Sequence, residues 1–336
     1  MKAAVFEAPG KPLAIESLPD PVPGTGELVL RVGRCGICGT DLHMTDGHAA
    51  TYPNNSVLGH EFAGEVVAVG RGVVNYKLGD AVVGLAVGGC GMCAQCMDGD
   101  PMWCERGLIP AMGGFGQFTV VKALSAIRLP STLSFSDGAL IEPLAVGLHG
   151  VKLAGISPGA RVLVLGSGSI GLSAAFWARR FGANHVAVAS RSARAEAHAL
   201  HMGASHFEQF GEEFAANIET ALGGLPDVVF ECVGVPGMLT KAIEIVRARG
   251  TVMILGNCMK PDSLVPSLVM FKQLRLQGSM VYSRRDFEIV AEILDAGHVE
   301  ARTMITDTVP LADLPNAFEA LRRPTYQCKT LVDPWS

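Results

Sequence analysis

Residues 161 to 182, RVLVLGSGSIGLSAAFWARRFG, combine the patterns of a buried strand, a glycine turn and a helix. The apolar run RVLVL leads into Gly166-Ser167-Gly168-Ser169-Ile170-Gly171, which has the spacing G-x-G-x-x-G, and a helical pattern follows up to Gly182. In this context the first glycine permits a tight turn, the second lets a pyrophosphate approach the backbone, and the third lets the helix pack closely. The segment therefore predicts a dinucleotide site with the phosphates at a helix N-terminus. A βα turn without a ligand is the alternative.

The sequence on both sides of this segment predicts an α/β fold in two parts. Before residue 145, short apolar or alternating runs such as ELVLRVG and EFAGEVVAVG are separated by Gly, Pro and Asp, which indicates strands. From about residue 155, strands alternate with helices, which indicates βαβ units and a doubly wound parallel sheet. We therefore expect a first domain at 1–144, a second at 145–282, and a mainly helical tail at 283–336.

The end of the second strand of this sheet, HVAVAS, indicates which cofactor is bound. NAD enzymes usually have an acidic residue there for the ribose 2′-hydroxyl, but this chain has Ser190-Arg191-Ser192-Ala193-Arg194. A hydroxyl and two guanidinium groups suit a 2′-phosphate, so we expect NADP(H) to be preferred over NAD(H), with Arg191 as the main contact. A solvated basic start of a helix is the alternative. Cys232 and Gly256, at the ends of two later strands, complete the predicted cofactor site.

Four of the nine cysteines lie close together in residues 88–105. Cys90, Cys93, Cys96 and Cys104 have the spacing C-x2-C-x2-C-x7-C, which can enclose one tetrahedral Zn²⁺ with four thiolates and no open position. The alternatives are an iron–sulfur cluster, a redox disulfide and chance, but the bacterial iron–sulfur motif is spaced differently and ends in Cys-Pro. The spacing therefore predicts a structural zinc.

Composition argues against several classes of protein. The 336 residues are 49% hydrophobic and 18% charged, with a formal net charge of −5, so no basic face for nucleic acid or an anionic membrane is indicated. The N-terminal apolar run is too short for a signal peptide, and the Gly and Ser of residues 162–178 argue against a membrane span. An odd number of cysteines favours metal or free thiols over disulfides. We expect a cytoplasmic protein without a membrane or nucleic-acid partner.

A second set of residues offers metal-binding and acid–base chemistry without a diagnostic spacing. Cys38 and His43 lie in CGICGTDLH, His60 and Glu61 lie in GHEFAG, and Glu142 lies in ALIEPLAVGLH. Spacing alone does not choose among these five, because only the fold can bring residues so far apart together. A single Cys or His is more often packed or exposed than ligating.

The combination of GICGTDLH, GHE, EPLAVGLH, the four-cysteine segment and GSGSIG resembles the zinc-dependent medium-chain dehydrogenase/reductase family, within the alcohol dehydrogenase superfamily. EPLAVGLH is most similar to the branch of polyol, butanediol and threonine dehydrogenases. The resemblance covers essentially the whole chain, down to KTLVDP. It implies a GroES-like β-barrel catalytic domain, a Rossmann domain, a tail that returns to the first domain and an active site in the cleft between them. It also implies a homodimer or homotetramer.

The resemblance implies a role for each ligand candidate. Cys38 and His60 would hold a catalytic zinc with one open position, with either Glu142 or Glu61 as a further ligand in the resting state. Glu61 would be an adjacent ligand, either permanent or exchanging with water. Asp41 would orient a ligand through a hydrogen bond.

Two further residues of the motif GICGTDLH would act on the proton of the substrate hydroxyl. Thr40 would contact the substrate oxygen, and His43 would complete a proton path through the nicotinamide ribose; a surface histidine with satisfied hydrogen bonds is the alternative for His43. Leu85, Trp103 and Phe115 are candidate walls of the pocket, or core residues.

The implied chemistry is hydride transfer between NADP(H) and a secondary alcohol or vicinal diol, held as a zinc-bound alkoxide, or the reverse reaction with a ketone. Polyol dehydrogenases commonly have Arg-Tyr after the last strand of the sheet, whereas this chain has Val281-Tyr282. The difference favours a short or moderately apolar substrate over a long sugar alcohol. NADPH-dependent aldehyde reduction is the alternative among enzymes. A non-catalytic nicotinamide-binding protein and a nucleic-acid-binding zinc ribbon are alternatives of other classes.

Overall fold

The computed structural model describes residues 1–47, 52–323 and 327–336. The chain forms two compact units, Met1–Glu142 together with Tyr282–Ser336, and Pro143–Val281. Each unit has its own sheet and its own apolar core. Among the described residues, no helix is both long and apolar enough to cross a bilayer.

The strands, in chain order, are β1 (Lys2–Phe6), β2 (Ala14–Ser17), β3 (Glu27–Gly36), β4 (Ser56–Val57), β5 (Glu61–Val69), β6 (Ala81–Gly84), β7 (Val87–Gly88), β8 (Ile109–Pro110), β9 (Phe118–Lys122), β10 (Ala126–Arg128), β11 (Arg161–Leu165), β12 (His185–Ser190), β13 (His206–Gln209), β14 (Val228–Glu231), β15 (Thr251–Ile254), β16 (Arg275–Gly278), β17 (Ile305–Pro310) and β18 (Lys329–Asp333). The α-helices are α1 (Gly39–Met44), α2 (Ala94–Met97), α3 (Phe135–Ala154), α4 (Ser169–Arg180), α5 (Glu196–His201), α6 (Phe214–Leu222), α7 (Met238–Ile245), α8 (Pro266–Lys272), α9 (Arg284–Asp295) and α10 (Leu314–Ala320).

The first unit is built mainly from antiparallel strands. Its larger sheet has the order β10-β6-β5-β3-β18-β17, with β9 also paired to β3, and β2, β1 and β4 form a second sheet. The ten-residue strand β3 pairs with β5 along one edge and with β9 and β18 along the other, and its register against β5 shifts twice. Such bulges bend a strand. The core of this unit contains Phe6, Leu30, Phe62, Phe115 and Phe318. The β-rich first part predicted from the sequence is confirmed.

The second unit contains one parallel sheet of six strands in the order β13-β12-β11-β14-β15-β16. This is the order of a doubly wound dinucleotide-binding sheet. Val162 to Leu165 of β11 are all fully buried, as expected for a strand covered on both faces. The predicted doubly wound sheet is therefore confirmed.

One helix is shorter than its sequence pattern predicts. The pattern MLTKAIEIVRARG indicates a helix up to Gly250, but α7 ends at Ile245 and Val246 is extended. Nζ of Lys272 donates hydrogen bonds to the carbonyl oxygens of Ile243, Glu244 and Val246. These bonds satisfy carbonyl groups that the end of the helix leaves unpaired.

The N-terminus of α3 is fixed by a buried carboxylate. Asp137 accepts hydrogen bonds from the backbone N–H and hydroxyl of Ser134 at 2.8 and 2.7 Å, and from two nitrogens of Arg302 at 2.7 and 3.0 Å. Burial raises the pKa of Asp137, but Arg302 and Ser134 lower it to below its usual 3.8. The carboxylate is therefore ionised over most of the pH range.

Asp137→Asn is expected to lower the free energy of unfolding by about 2 kcal/mol at pH 7, because hydrogen bonds to a charged group contribute about 1.5–3 kcal/mol. The folded pKa lies below the unfolded one, so this contribution is fully present above about pH 4 and is lost as pH falls through the folded pKa. Urea unfolding over a pH series measures both effects. The control is Asp20→Asn, at a largely exposed carboxylate. A stability difference that does not change with pH would contradict the assignment.

Candidate zinc and dinucleotide sites

Three of the candidate ligands lie together in the first unit. One ligand atom each from Cys38, His60 and Glu61 lies within 4.8 Å of the others. Cys38 is the N-cap of α1, while Glu61 begins β5, opposite Gly36 at the end of β3. His60 and Glu61 are buried and Cys38 is half-buried. Thiolate, imidazole and carboxylate are the ligand types that zinc takes in proteins.

Asp41 is fully buried and faces this cluster. One carboxylate oxygen accepts the backbone N–H of Cys38 at 3.1 Å, and the other lies 3.2 Å from Nδ1 of His60. Within the described part of the chain, neither this Asp41 oxygen nor Nδ1 of His60 makes a well-aligned hydrogen bond. Because Nδ1 faces Asp41, Nε2 is the ring nitrogen left for a metal. Burial lowers the pKa of His60, but Asp41 and Cys38 raise it well above its usual 6.5. The cluster therefore favours an added positive charge and fits a cation.

A buried ion pair, absent from the sequence predictions, lies beside the cluster. Nζ of Lys329 lies 2.6 Å from both carboxylate oxygens of Glu61, and donates to the carbonyl oxygen of Ile37 at 3.1 Å. Lys329 and Glu61 are 1% and 0% exposed. Gly36 provides the space, since a Cβ there would lie 2.0 Å from a Glu61 oxygen. Burial lowers the pKa of Lys329, but Glu61 raises it above its usual value. No sequence signal marks this lysine, because lysines are normally exposed.

Glu142 lies in the same unit but outside the group of three ligand atoms. It is buried, and burial raises its pKa to about 7, with His60 lowering and Glu61 raising the value. The hydroxyl of Tyr282 hydrogen-bonds to Glu142 and also accepts the backbone N–H of Ala86 at 3.0 Å. Glu142 is therefore close enough to the cluster to respond to its charges, while Tyr282 holds its carboxyl group.

Helix α1 carries the two candidates for proton transfer. Thr40 and His43 are three residues apart, which places them on the same side of the helix. Thr40 is half-buried and His43 is exposed, and the N–H of Thr40 donates to Sγ of Cys38 at 3.5 Å. Their predicted roles toward substrate stay predictions.

The candidate pocket walls differ in burial. Leu85 and Phe115 are buried, and Phe115 packs edge-on against Phe318 in the core of the first unit. Trp103 is 59% exposed. Phe115 therefore packs in the core, which is the alternative given above to a place in the pocket wall.

The four-cysteine segment brings its sulfur atoms within 4.8 Å of one another, from Cys90, Cys93, Cys96 and Cys104. Backbone N–H bonds to sulfur lower the pKa values of Cys90, Cys93 and Cys104. Gly89 leaves space for this arrangement, since a Cβ there would lie 2.5 Å from Sγ of Cys96. All nine cysteines lie in the ranges that the structure describes, and none of them forms a disulfide there. The group fits a tetrahedral zinc bound by four thiolates.

The glycine motif forms the turn between β11 and α4. Gly166 has a φ of +106°, and its N–H donates to the carbonyl oxygen of Ala189 at 2.8 Å. A Cβ at Gly168 would have open space around it, whereas one at Gly171 would lie 1.9 Å from the carbonyl oxygen of Gly166. The helix begins at Ser169 and continues through Ile170. The turn therefore leaves the backbone accessible at the second glycine and tightly packed at the third.

The candidate phosphate-selecting residues lie at the end of β12. Ser190 is its last residue, and Arg191 and Arg194 are exposed. Two bonds from the end of β13 fix the backbone here: the side-chain amide of Gln209 donates to the carbonyl oxygen of Arg191 at 2.8 Å, and the N–H of Phe210 donates to that of Ser190 at 3.0 Å. Gln209 was outside the sequence predictions, since an amide at a strand end carries no distinctive pattern.

Cys232 and Gly256 lie at the same edge of the sheet, and the buried residue Glu231 bonds to the two loops there, to one through its carboxylate and to the other through its backbone carbonyl. Oε1 of Glu231 accepts the N–H groups of Val233 and Gly234 at 2.7 and 2.9 Å, while the N–H of Gly256 donates to the Glu231 carbonyl at 2.8 Å. A Cβ at Gly256 would lie 2.3 Å from the nitrogen of Gly234. Glu231 thus binds together two loops of the predicted cofactor site. An acidic residue ending an apolar strand, as in VVFEC, is the signal that could have identified it.

A β-rich unit with a buried Cys–His–Glu cluster, and a doubly wound unit with a G-x-G-x-x-G turn, define a two-domain zinc-type dehydrogenase. The family "Alcohol dehydrogenase GroES-like domain" matches residues 24–131, and "Zinc-binding dehydrogenase" matches residues 169–296. The chain therefore belongs to the zinc-dependent medium-chain dehydrogenases/reductases, oxidoreductases that act on CH–OH groups. The predicted family and the GroES-like and Rossmann folds are confirmed.

Individual relatives cover nearly the whole chain. The (R,R)-butanediol dehydrogenase of Bacillus subtilis is 32% identical over 99% of this chain and 100% of its own length. A putative zinc-binding dehydrogenase from Sinorhizobium meliloti, solved with NADP, is 33% identical with a TM-score of 0.89 and 99% of both chains covered. An alcohol dehydrogenase from Escherichia coli CFT073, solved with NADH, is 26% identical with a TM-score of 0.90 over 99% of both chains.

Proposed function

We propose that the protein catalyses the reversible oxidation of a secondary alcohol or vicinal diol to a ketone, with hydride transfer to NADP⁺. The observation that carries the proposal is the group of the half-buried Cys38 with the buried His60 and Glu61. The butanediol-oxidising activity named for the Bacillus subtilis relative supports the substrate class.

Two zinc ions per chain are part of this proposal. Cys38 and His60, with Glu61 or Glu142, would hold one, and the four-cysteine segment would hold the other. When bound, the first zinc would supply a Lewis acid that lowers the pKa of a hydroxyl group towards neutrality. Asp41 keeps the ring of His60 turned so that Nε2 can serve as the ligand atom.

The protein's own groups would carry the proton and exclude water. Thr40 would hydrogen-bond the substrate hydroxyl, and His43 would exchange its proton with solvent. The half-buried position of Thr40 and the exposed position of His43 on one side of α1 support a path from the buried site outwards.

Replacement of Cys38 by alanine tests the activity. We expect turnover of short secondary alcohols with NADP⁺ to fall by about 10³-fold or more, because the electrophile that stabilises developing negative charge is lost. Zinc content is expected to fall from two to one per chain. The control is Cys258→Ala, at a thiol in neither cysteine group. Full activity in the Cys38 variant, or one zinc in the unchanged protein, would refute the proposal.

The preference for NADP(H) is proposed on the residues that end β12. Ser190, Arg191 and Arg194 offer a hydroxyl and two cations without a carboxylate, and the hydrogen bond from the side-chain amide of Gln209 holds the turn at Arg191. The Sinorhizobium meliloti relative was solved with NADP and the Escherichia coli one with NADH. Proteins of similar structure have therefore been solved with either dinucleotide, and local charge is the ground for choosing between them here.

The double variant Ser190→Asp, Arg191→Leu is expected to lower the ratio of kcat/KM for NADP⁺ to that for NAD⁺ by at least about 10-fold. A charge-assisted hydrogen bond contributes about 1.5–3 kcal/mol, and the new carboxylate repels a 2′-phosphate. Steady-state kinetics with both cofactors measures the ratio. His185→Gln, at the opposite end of β12, serves as the control. An unchanged ratio would show that the phosphate site lies elsewhere.

A short or moderately apolar substrate is supported by Tyr282. Its hydroxyl is occupied by Glu142 and Ala86 and the residue is fully buried, and Val281 precedes it where polyol enzymes commonly have arginine. Neither residue offers a free polar group to a sugar hydroxyl. A panel of butanediols, sorbitol and simple aldehydes would separate the proposed substrates from polyol oxidation and aldehyde reduction.

The proposal also includes a homodimer or homotetramer in the cytoplasm. Nine cysteines without a disulfide are typical of a reducing compartment. Light scattering of the zinc-loaded protein tests the oligomeric state.

A further inference from the structure

A basic cavity of about 670 Å³ lies at the amino ends of the parallel strands in the second unit. Arg161, Thr251 and Arg275 are the first residues of β11, β15 and β16, and they line this cavity. The predicted cofactor residues follow the opposite ends of β11, β12, β14 and β15. A strand of five residues spans about 16 Å, so the cavity is distinct from the dinucleotide site.

The charge of the lining is strongly positive. Its charged residues are Arg161, Arg247, Arg249, Arg275 and Asp227. Asp227 accepts the backbone N–H of Arg161 at 2.7 Å and the Nε groups of Arg161 and Arg247 at 3.3 and 2.5 Å. Burial raises the pKa of Asp227, but these bonds lower it below its usual value. The ionised carboxylate therefore balances one cation and leaves an excess of positive charge, in a chain whose net charge is −5.

Part of that excess has a structural role. Arg161 and Arg247 each donate from one terminal nitrogen to a backbone carbonyl oxygen, of Gly223 at 3.3 Å and of Ala248 at 2.7 Å, and keep their other terminal nitrogen for a ligand. Arg275 donates to the carbonyl oxygens of Leu153 and Ala154, the last two residues of α3. A cation at the C-terminus of a helix is stabilised by the unpaired carbonyl groups and the helix dipole. Arg275 is therefore explained by the fold.

Arg249 has no comparable role. Its φ is +59°, in the left-handed region that favours glycine and costs another residue about 1–2 kcal/mol. Its Nε donates to the side chain of Gln273 at 3.2 Å, but its two terminal nitrogens have no acceptor among the described residues. An exposed arginine thus stands in an unfavourable backbone conformation, and its four terminal N–H groups have no acceptor in the part of the chain that the structure describes.

We propose that this cavity binds a small molecule with two or more linked phosphate groups, held by Arg249 together with Arg161 and Arg247. A guanidinium group pairs with phosphate oxygens through two parallel hydrogen bonds. Several separate guanidinium groups therefore suit a ligand with several phosphate groups better than a ligand with a single phosphate. The volume exceeds what a single phosphate fills. Inorganic pyrophosphate is the simplest ligand of this class, and a nucleoside diphosphate presents the same chemistry with an added base.

Isothermal titration calorimetry with inorganic pyrophosphate tests the site, using zinc-loaded protein whose dinucleotide site is saturated with cofactor. We expect one site per chain, and at least a tenfold weaker Kd in Arg249→Gly. Glycine relieves the left-handed backbone, so this variant is expected to fold, with circular dichroism as the check, and to keep its turnover. The matched control is Arg71→Gln, at an exposed arginine of the first unit. Parallel titrations with ADP and orthophosphate show whether a base adds affinity and whether one phosphate suffices.

Four results would overturn the proposal. The first three are no saturable binding of pyrophosphate or ADP, the same weakening in Arg71→Gln, and binding that Arg249→Gly leaves intact. Tighter binding of an acidic peptide than of pyrophosphate would overturn it in favour of a protein partner. The result does not depend on the redox activity, because binding is measured without turnover.

Discussion

Lys329→Met is expected to lower the free energy of unfolding by about 3–5 kcal/mol, because it leaves the carboxylate of Glu61 buried without its partner. Both oxygens of Glu61 lie 2.6 Å from Nζ of Lys329, and neither side chain reaches solvent. Methionine fills most of the volume of lysine, so the effect reports the lost charge rather than a cavity. The midpoint of urea unfolding measures it.

Two matched variants make this expectation specific. Lys11→Met removes a lysine from an exposed pair with Glu7 and is expected to change stability by less than about 1 kcal/mol. Lys329→Met combined with Glu61→Leu removes both buried charges and is expected to recover most of the loss when both variants are measured free of zinc, so that loss of a candidate zinc ligand does not enter the comparison. A Lys329 variant as stable as the Lys11 variant would show that the pair is solvated.

Cys104→Ser is expected to abolish zinc binding in the four-cysteine segment and to unfold that segment locally. Few apolar contacts stabilise it otherwise: α2 has no buried residue, and Met92, Met97 and Trp103 are largely exposed. Zinc ions of this kind bind with apparent free energies on the order of 10 kcal/mol, and this binding is coupled to folding. The few apolar contacts of the segment cannot offset the loss of that free energy. Zinc analysis and limited proteolysis within residues 88–105 measure the two effects.

Cys258→Ser is the matched control, since this thiol belongs to neither cysteine group, and it is expected to retain both zinc ions and resistance to protease. Chelator treatment of the unchanged protein should reproduce the proteolysis seen with Cys104→Ser. Retention of two zinc ions in Cys104→Ser would show that the segment binds no metal.

Local sequence patterns determined the doubly wound sheet and the glycine turn, because both depend on contacts between near neighbours. An apolar run such as RVLVL can be buried on both faces only in a covered strand, and the spacing of Gly166, Gly168 and Gly171 follows from one turn and one helix start. The same holds for the four cysteines of residues 88–105, whose spacing alone allows them to surround one ion.

Helix boundaries were less predictable from the sequence. Helix α7 ends early because Lys272, which is distant in sequence, bonds to its last carbonyl groups. The patterns also do not predict α3, because Pro143 lies within it.

The family, and with it a list of candidate ligands, also followed from the sequence by itself. What only the tertiary structure decided is which of these residues meet: it brings Cys38, His60 and Glu61 together, places Asp41 against His60, and leaves Glu142 with Tyr282. It also decided that Lys329 is buried against Glu61 and that Arg249 lines a basic cavity. The physical reason is that burial and charge pairing depend on distances set by strand register across hundreds of residues. A charged side chain has the same local sequence signature whether it faces water or a buried partner.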